Sequence, residues 1–246
     1  MMDPQVEYED TNRTPAAAPG LPAGRLRLLG ALSGIVGPIL LVIYFATPAL
    51  TSWPHAGATP DELIRYATSH ELLFYVGGWL QATGALLSIM FFLVLLQLSG
   101  ALRRLSGLAT LVGCALLLSV VVLEAALLEA VPMAAAAGDK ATVATTFALS
   151  NGVFARIFPL APAPLVFAGI GFALLGSDVL RAGFGRSALA LALLFFVAGI
   201  AAIFGTPGLI FAIVMSVAQT IWIATTAVVP AASTRHAQQL STPTGL

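Results

Sequence analysis

Apolar residues in this chain run in long, almost uncharged blocks. The blocks fall at about 28–50, 73–98, 108–131, 160–180, 187–205 and 208–230, and each is long enough to cross a bilayer core of about 30 Å as a helix. About 200 of the 246 residues belong to or flank such blocks, so the pattern predicts an all-α polytopic membrane protein: six transmembrane helices in one bundle. Residues 1–27 read as a disordered cytoplasmic N-terminal tail, 28–230 as the six-span domain and 231–246 as a polar cytoplasmic C-terminal tail.

The connections between blocks sharpen this picture. GALRRLSG, RAGFGR and GTPG are short turns, so spans two and three, four and five, and five and six should be antiparallel neighbours. Thr59-Pro60-Asp61-Glu62 combines an N-cap threonine, a proline at the first helical position and a glutamate at the capping-box position. A short outer-face helix should therefore run from Pro60 to about Thr68, with Ser69-His70-Glu71 capping span two. Residues 139–158 are too polar for a clear span, and joined to 160–180 they would make a helix of about 60 Å, twice the bilayer core. Part of the segment is expected to lie on the outer surface or re-enter, with Pro159, Pro162 and Pro164 marking the break.

Composition agrees with lipid as the solvent. The hydrophobic fraction is 59% and the charged fraction 9%, with a mean hydropathy of +0.96, against about 25% charged residues in a soluble domain. The net charge is zero, which gives no reason to expect nucleic acid as a partner. The chain begins with acidic residues rather than the positive region of a secretory signal. With the N-terminus in the cytoplasm, Arg13, Arg25, Arg27, Arg103, Arg104, Arg181, Arg186 and Arg235 lie inside, and Arg65, Lys140 and Arg156 outside. The positive-inside rule favours that orientation, in the cell membrane, with both termini cytoplasmic. Tyr44, Trp53, Phe74, Tyr75 and Trp79 then form an aromatic belt at the outer interface. Trp222 lies about 21 Å into span six, where its indole N–H needs a partner. Ten arginines against one lysine, with abundant alanine, fit a GC-rich bacterial genome.

The stretch PLVFAGIGFALLGSDVLRAGFGRSALALALLFFVAG (164–199) resembles a bacterial family of six-span membrane proteins catalogued only as a domain of unknown function. Leu174-Leu175-Gly176, Leu180-Arg181, Gly183-Phe184, Arg186 and Ala198-Gly199 carry the resemblance, with support from SHELLFYVG (69–77) and RLLGALSGIVGP (27–38). It implies the six-helix fold and no particular activity.

Few residues have chemistry to offer. Glu124 stands about 24 Å along span three, counted from Leu108, and so lies beneath the outer surface of a core about 30 Å thick. Glu129 falls at the interface, about 140° around the helix from Glu124, so the two carboxylates cannot act as a dyad. Arg156 is the natural partner for Glu124, through paired guanidinium hydrogen bonds. Two readings stay open: a structural pair that pins 139–158 to span three, or a proton or ligand site facing an outer vestibule, with Asn151 and His70 nearby. Gln81 and Gln219 fall toward the middle of spans two and six, where a buried amide bonds across helices or lines a pore. Gly30 and Gly34 form a small-xxx-small pattern, and Asp178 with Arg181 reads as an interfacial helix pair. His55 and His70 with Asp61, Glu62 and Glu71 read as solvated loop residues rather than a metal site. Cys114 reads as a small hydrophobe.

No phosphate loop, zinc-protease motif, nucleophile elbow or aspartate pair is present, and no cofactor is implied. Three functional classes follow: an accessory or structural component, assembling with lipid, with itself or with another membrane protein; a transporter or binder of a small apolar molecule entered from the outer leaflet; and a membrane-embedded enzyme, for which no nucleophile–base constellation is evident. A defined cavity reaching Glu124 would favour the second class, and a filled bundle the first.

Overall fold

The computed structural model describes residues 23–55, 57–204 and 206–240, and among these all regular structure is helical. The long helices are α1 (Ala23–Leu50), α3 (Glu71–Leu98), α4 (Leu105–Ala136), α8 (Ala182–Ala201) and α9 (Thr206–Leu240). A broken helix made of α5 (Lys140–Gly152), a π-helical turn (Val153–Ile157), the single turn α6 (Phe158–Leu160) and α7 (Pro162–Leu175) supplies the remaining span. Six helical stretches are long and apolar enough to cross a membrane, so the all-α six-span reading holds.

Neighbours in sequence are neighbours in space. α3 packs on α4, α4 on α7, α7 on α8 and α8 on α9, while α1 lies between α3 and α9 and closes the ring. The short turns force this arrangement, since they leave an antiparallel helix no room to travel. Glycines set the crossing of α1 and α3: a Cβ on Gly37 of α1 would stand 2.9 Å from the carbonyl oxygen of Gly84 on α3. One on Gly84 would stand 3.0 Å from the Gly37 carbonyl, so the two backbones are in contact. Gly34 is just as tight, with Ala227 and Phe91 each 2.6 Å from its hypothetical Cβ. The small-residue stripe of span one thus extends beyond Gly30 and Gly34, and it seats α1 against both of its neighbours. Trp222 finds the partner it needs, donating its indole N–H to Ser187 Oγ at 2.9 Å.

At one end the ring is capped. α4 has 32 residues and so runs for about 48 Å, longer than a bilayer core. Its last turns rise beyond the core to pack with α2 (Pro60–Ser69) and α5 around Leu63, Phe74, Val131, Val143 and Phe147. α2 starts as its sequence predicts: Glu62 N–H donates to Thr59 Oγ1 at 3.4 Å, and Thr59 N–H donates to Glu62 Oε2 at 2.8 Å. Lys140 on α5 meets Asp61 on α2 at 2.7 Å. These contacts hold three surface carboxyls below their usual range: Asp61 through Lys140, Glu62 through the Thr59 N–H and hydroxyl, and Asp139 through Thr142.

Four expectations change. Span four belongs to one broken helix over 140–175 rather than starting at 160: residues 140–158 are helical and run into α7, with their first turns in the cap, as expected for a segment that lies partly at the outer surface. Their polarity is absorbed locally: Asp139 caps α5 by accepting from Thr142 N–H at 3.0 Å, and Thr146 Oγ1 donates to the Thr142 carbonyl at 2.7 Å. The proline break narrows to Ala161, and Pro162 opens α7, where a missing N–H costs nothing. Asp178 and Arg181 lie in and after the turn that follows α7 rather than on a helix, and Arg104 ties down the end of α7 by donating to the Gly176 carbonyl at 3.0 Å. At the chain ends, α1 starts at Ala23, inside the predicted tail, and α9 continues to Leu240. The rest of both tails, 1–22 and 241–246, lies outside the described residues.

Candidate functional site

α4 carries Glu124 into the ring, where it is 3% exposed. An acidic side chain within a span costs up to about 2.5–3.5 kcal/mol on insertion scales, the figure reached at the span centre. Its compensation comes from two other helices. Tyr44 of α1 donates its hydroxyl to Glu124 Oε1 at 3.2 Å, and the Gln81 amide of α3 lies alongside the same carboxylate. Interhelical hydrogen bonds of this kind average about 0.6 kcal/mol in a bilayer, so two of them do not offset the burial. Glu124 is therefore a costly residue with neutral partners.

Space surrounds it on both sides. Toward the capped end lies a vestibule of about 820 Å³, with exposed His55, Gly57 and Arg156 at its edge and Glu124 on its floor. The volume suits a small organic ligand, for which pockets run to about 300–1,000 Å³. Its wall includes an aromatic cluster, with Trp53 set against Phe74 at 4.8 Å and against Phe147 at 6.2 Å between ring centroids. Asn151 and Ser150 add polar groups, although the Asn151 amide N–H already serves the Phe147 carbonyl at 2.9 Å. Away from the cap lies a second, small cavity of about 40 Å³, lined by Gln81, Ser88, Glu124 and Gln219 among apolar side chains. Phe45, Phe154 and Glu124 belong to the walls of both spaces, and the two rings stand 5.7 Å apart. Phe154 sits in the π-helical turn, a distortion found often at functional sites, which here interrupts the helix at the junction of the two spaces.

The sequence candidates divide accordingly. Glu124, Gln81 and Gln219 come together around the small cavity, and Glu124, Asn151 and Arg156 share the vestibule. The expected ion pair between Glu124 and Arg156 does not form; among the described residues the salt bridge is Lys140–Asp61. Arg156 is exposed at the vestibule edge while Glu124 is buried beneath it, and Tyr44 takes the partner's place. Glu129 lies outside both cavities, beside Gly78 of α3, as its angular offset from Glu124 requires. His70 is not at the vestibule either: its ring stacks on Tyr66 at 4.4 Å, and His55 stands at the edge instead. Tyr44, Ser88 and the Phe45–Phe154 pair were not singled out as site residues. Tyr44 carried a signal, a hydroxyl among apolar neighbours, but it reads equally well as part of an interfacial belt.

No protein-family model matches the chain, and no curated protein or solved structure matches it either.

Proposed function

We propose that this protein binds or transports a small, largely apolar molecule that enters from the capped end and reaches Glu124. The observation that carries this reading is the vestibule: about 820 Å³, with a cluster of aromatic rings in its wall and a buried carboxylate on its floor. A bundle built only to pack would gain stability by filling that space and replacing the acid. The accessory or structural role weighed from sequence gives neither the cavity nor Glu124 a task.

The capped end is read as the outer one, with both termini cytoplasmic and the cell membrane as the site. Among the described side chains, six arginines at the opposite end (Arg25, Arg27, Arg103, Arg104, Arg181 and Arg186) against three basic residues at the cap support this orientation.

Native mass spectrometry on protein extracted in a patch of its own membrane tests the reading. A reproducible adduct the size of a small organic molecule, lost in Glu124→Gln, is the expected result. A bare chain, or one carrying only copies of itself or another polypeptide, would return the weight to assembly.

A further inference from the structure

Below the vestibule, the small cavity presents an oxygen atom that the fold leaves without a donor. Gln81 is 4% exposed, and its Oε1 has no hydrogen-bond partner among the described residues. A buried carbonyl without a partner is rare in folded proteins and calls for an explanation. Other oxygen atoms line the same space: the Glu124 carboxylate, which accepts from Tyr44; the amide oxygen of Gln219 from α9; and Ser88 Oγ, whose hydrogen is committed to the Gly84 carbonyl at 2.8 Å. Three helices thus bring one carboxylate, two amides and a hydroxyl to a space of about 40 Å³. A water needs about 10–15 Å³ measured this way, so the cavity has room for a small ion with a water or two.

We infer that this cavity is a binding site for a small monovalent metal cation, sodium or lithium in size. Oxygen donors suit a hard cation. Charge selects its valence: the cavity wall carries one carboxylate and no cationic side chain, so a single positive charge makes the site neutral. A divalent ion would leave a net charge in the apolar interior, which is costly. Tyr44 assists by donating to Glu124 Oε1, which orients the carboxylate. Binding of the ion is independent of any ligand above it. Coupling between the two, through Glu124 as a wall of both spaces, rests on the transport reading.

The test is equilibrium binding of radioactive sodium to the purified full-length protein in lipid nanodiscs. Saturable binding is expected, displaced by unlabelled sodium or lithium and not by choline or equimolar magnesium. Glu124→Gln should weaken it about tenfold or more, since even outer-shell partners of a bound metal are worth about 10–100-fold. Gln81→Leu should weaken it similarly; because that change also removes the amide beside Glu124, Ser88→Ala serves as the second variant, since its hydroxyl bonds only to the Gly84 carbonyl of its own helix, and it too should weaken binding. Glu129→Gln, outside both cavities, should bind as the parent does. Absence of saturable binding by the monodisperse parent, undiminished binding by Gln81→Leu or Ser88→Ala, or displacement by equimolar magnesium would each overturn the assignment. A ligand adduct without sodium binding would sink the ion site alone; sodium binding without an adduct would sink the vestibule reading alone.

Discussion

A carboxylate placed on α4 has to find its compensation on other helices, and Glu124 finds it on α1 and α3. Because those partners are neutral donors, the group depends on each of them more than an ion pair would. Tyr44→Phe and Glu124→Gln should therefore be non-additive. Tyr44→Phe removes the donor and Glu124→Gln exchanges the charged acceptor for a weaker neutral one, so a double-mutant cycle on melting free energy in detergent should give a coupling of up to about 1 kcal/mol, within the range for interhelical bonds in bilayers. Strict additivity would mean that the 3.2 Å contact contributes nothing to the fold. Glu124 was legible from sequence, because an acid in an apolar block is conspicuous wherever it falls. Its partner was not. Tyr44 is 80 residues away, and no periodicity in one helix reports the rotation of another. Arg156 looked like the better partner on charge alone; the fold leaves it exposed at the edge of the vestibule.

At the scale of elements, the crossing of α1 and α3 holds Gln81 and Ser88 in place, because Gly84 lies between them on the same helix. Gly84→Ala puts a methyl group against Leu41 and the Gly37 carbonyl, so the helices must separate. The expected cost is about 1–3 kcal/mol, as for other overpacked contacts. Gly183→Ala in α8, where a Cβ meets nothing within 4 Å, should be neutral or stabilising by up to about 1 kcal/mol. Thermal unfolding of the two variants side by side checks this; equal melting temperatures would refute the close crossing. The cap makes a different prediction. Asp61, Glu62 and Asp139 have folded-state values below their ordinary 3.8, 4.5 and 3.8, so their contribution is present above those values and is lost as pH falls through the folded ones. Hydrogen exchange should rise in α2 and the start of α5 below about pH 4 while α3 and α8 stay protected, and uniform protection at that pH would count against a carboxylate-held cap. The start of α2 was readable because a capping box is a local code. The course of 140–175 was not, because threonine hydroxyls that turn back onto their own helix look the same in sequence as polar groups bound for water.

For the whole molecule, ring closure in sequence order fixes a two-ended object. One end carries the cap and the mouth of the vestibule, and the other carries the turns after α3 and α7, with Arg103, Arg104, Arg181 and Arg186 in or beside them. Only the assignment of these ends to the two sides of a membrane decides where a ligand enters. Single cysteines provide the test, on a Cys114→Ala background, since Cys114 is buried at 4% exposure and reports on neither side. Gly57 stands exposed at the vestibule edge, and Gly183 lies in open space in the first turn of α8 at the opposite end. In intact cells an impermeant maleimide should label Gly57→Cys and spare Gly183→Cys until the membrane is opened. The reverse pattern would turn the vestibule toward the cytoplasm. The small cavity would then face an inward-opening mouth, and any bound ion would be received from the cell interior rather than from outside. The arginine distribution argues against that orientation, because reversing the bundle would place six of the nine basic side chains among the described ones on the outer face.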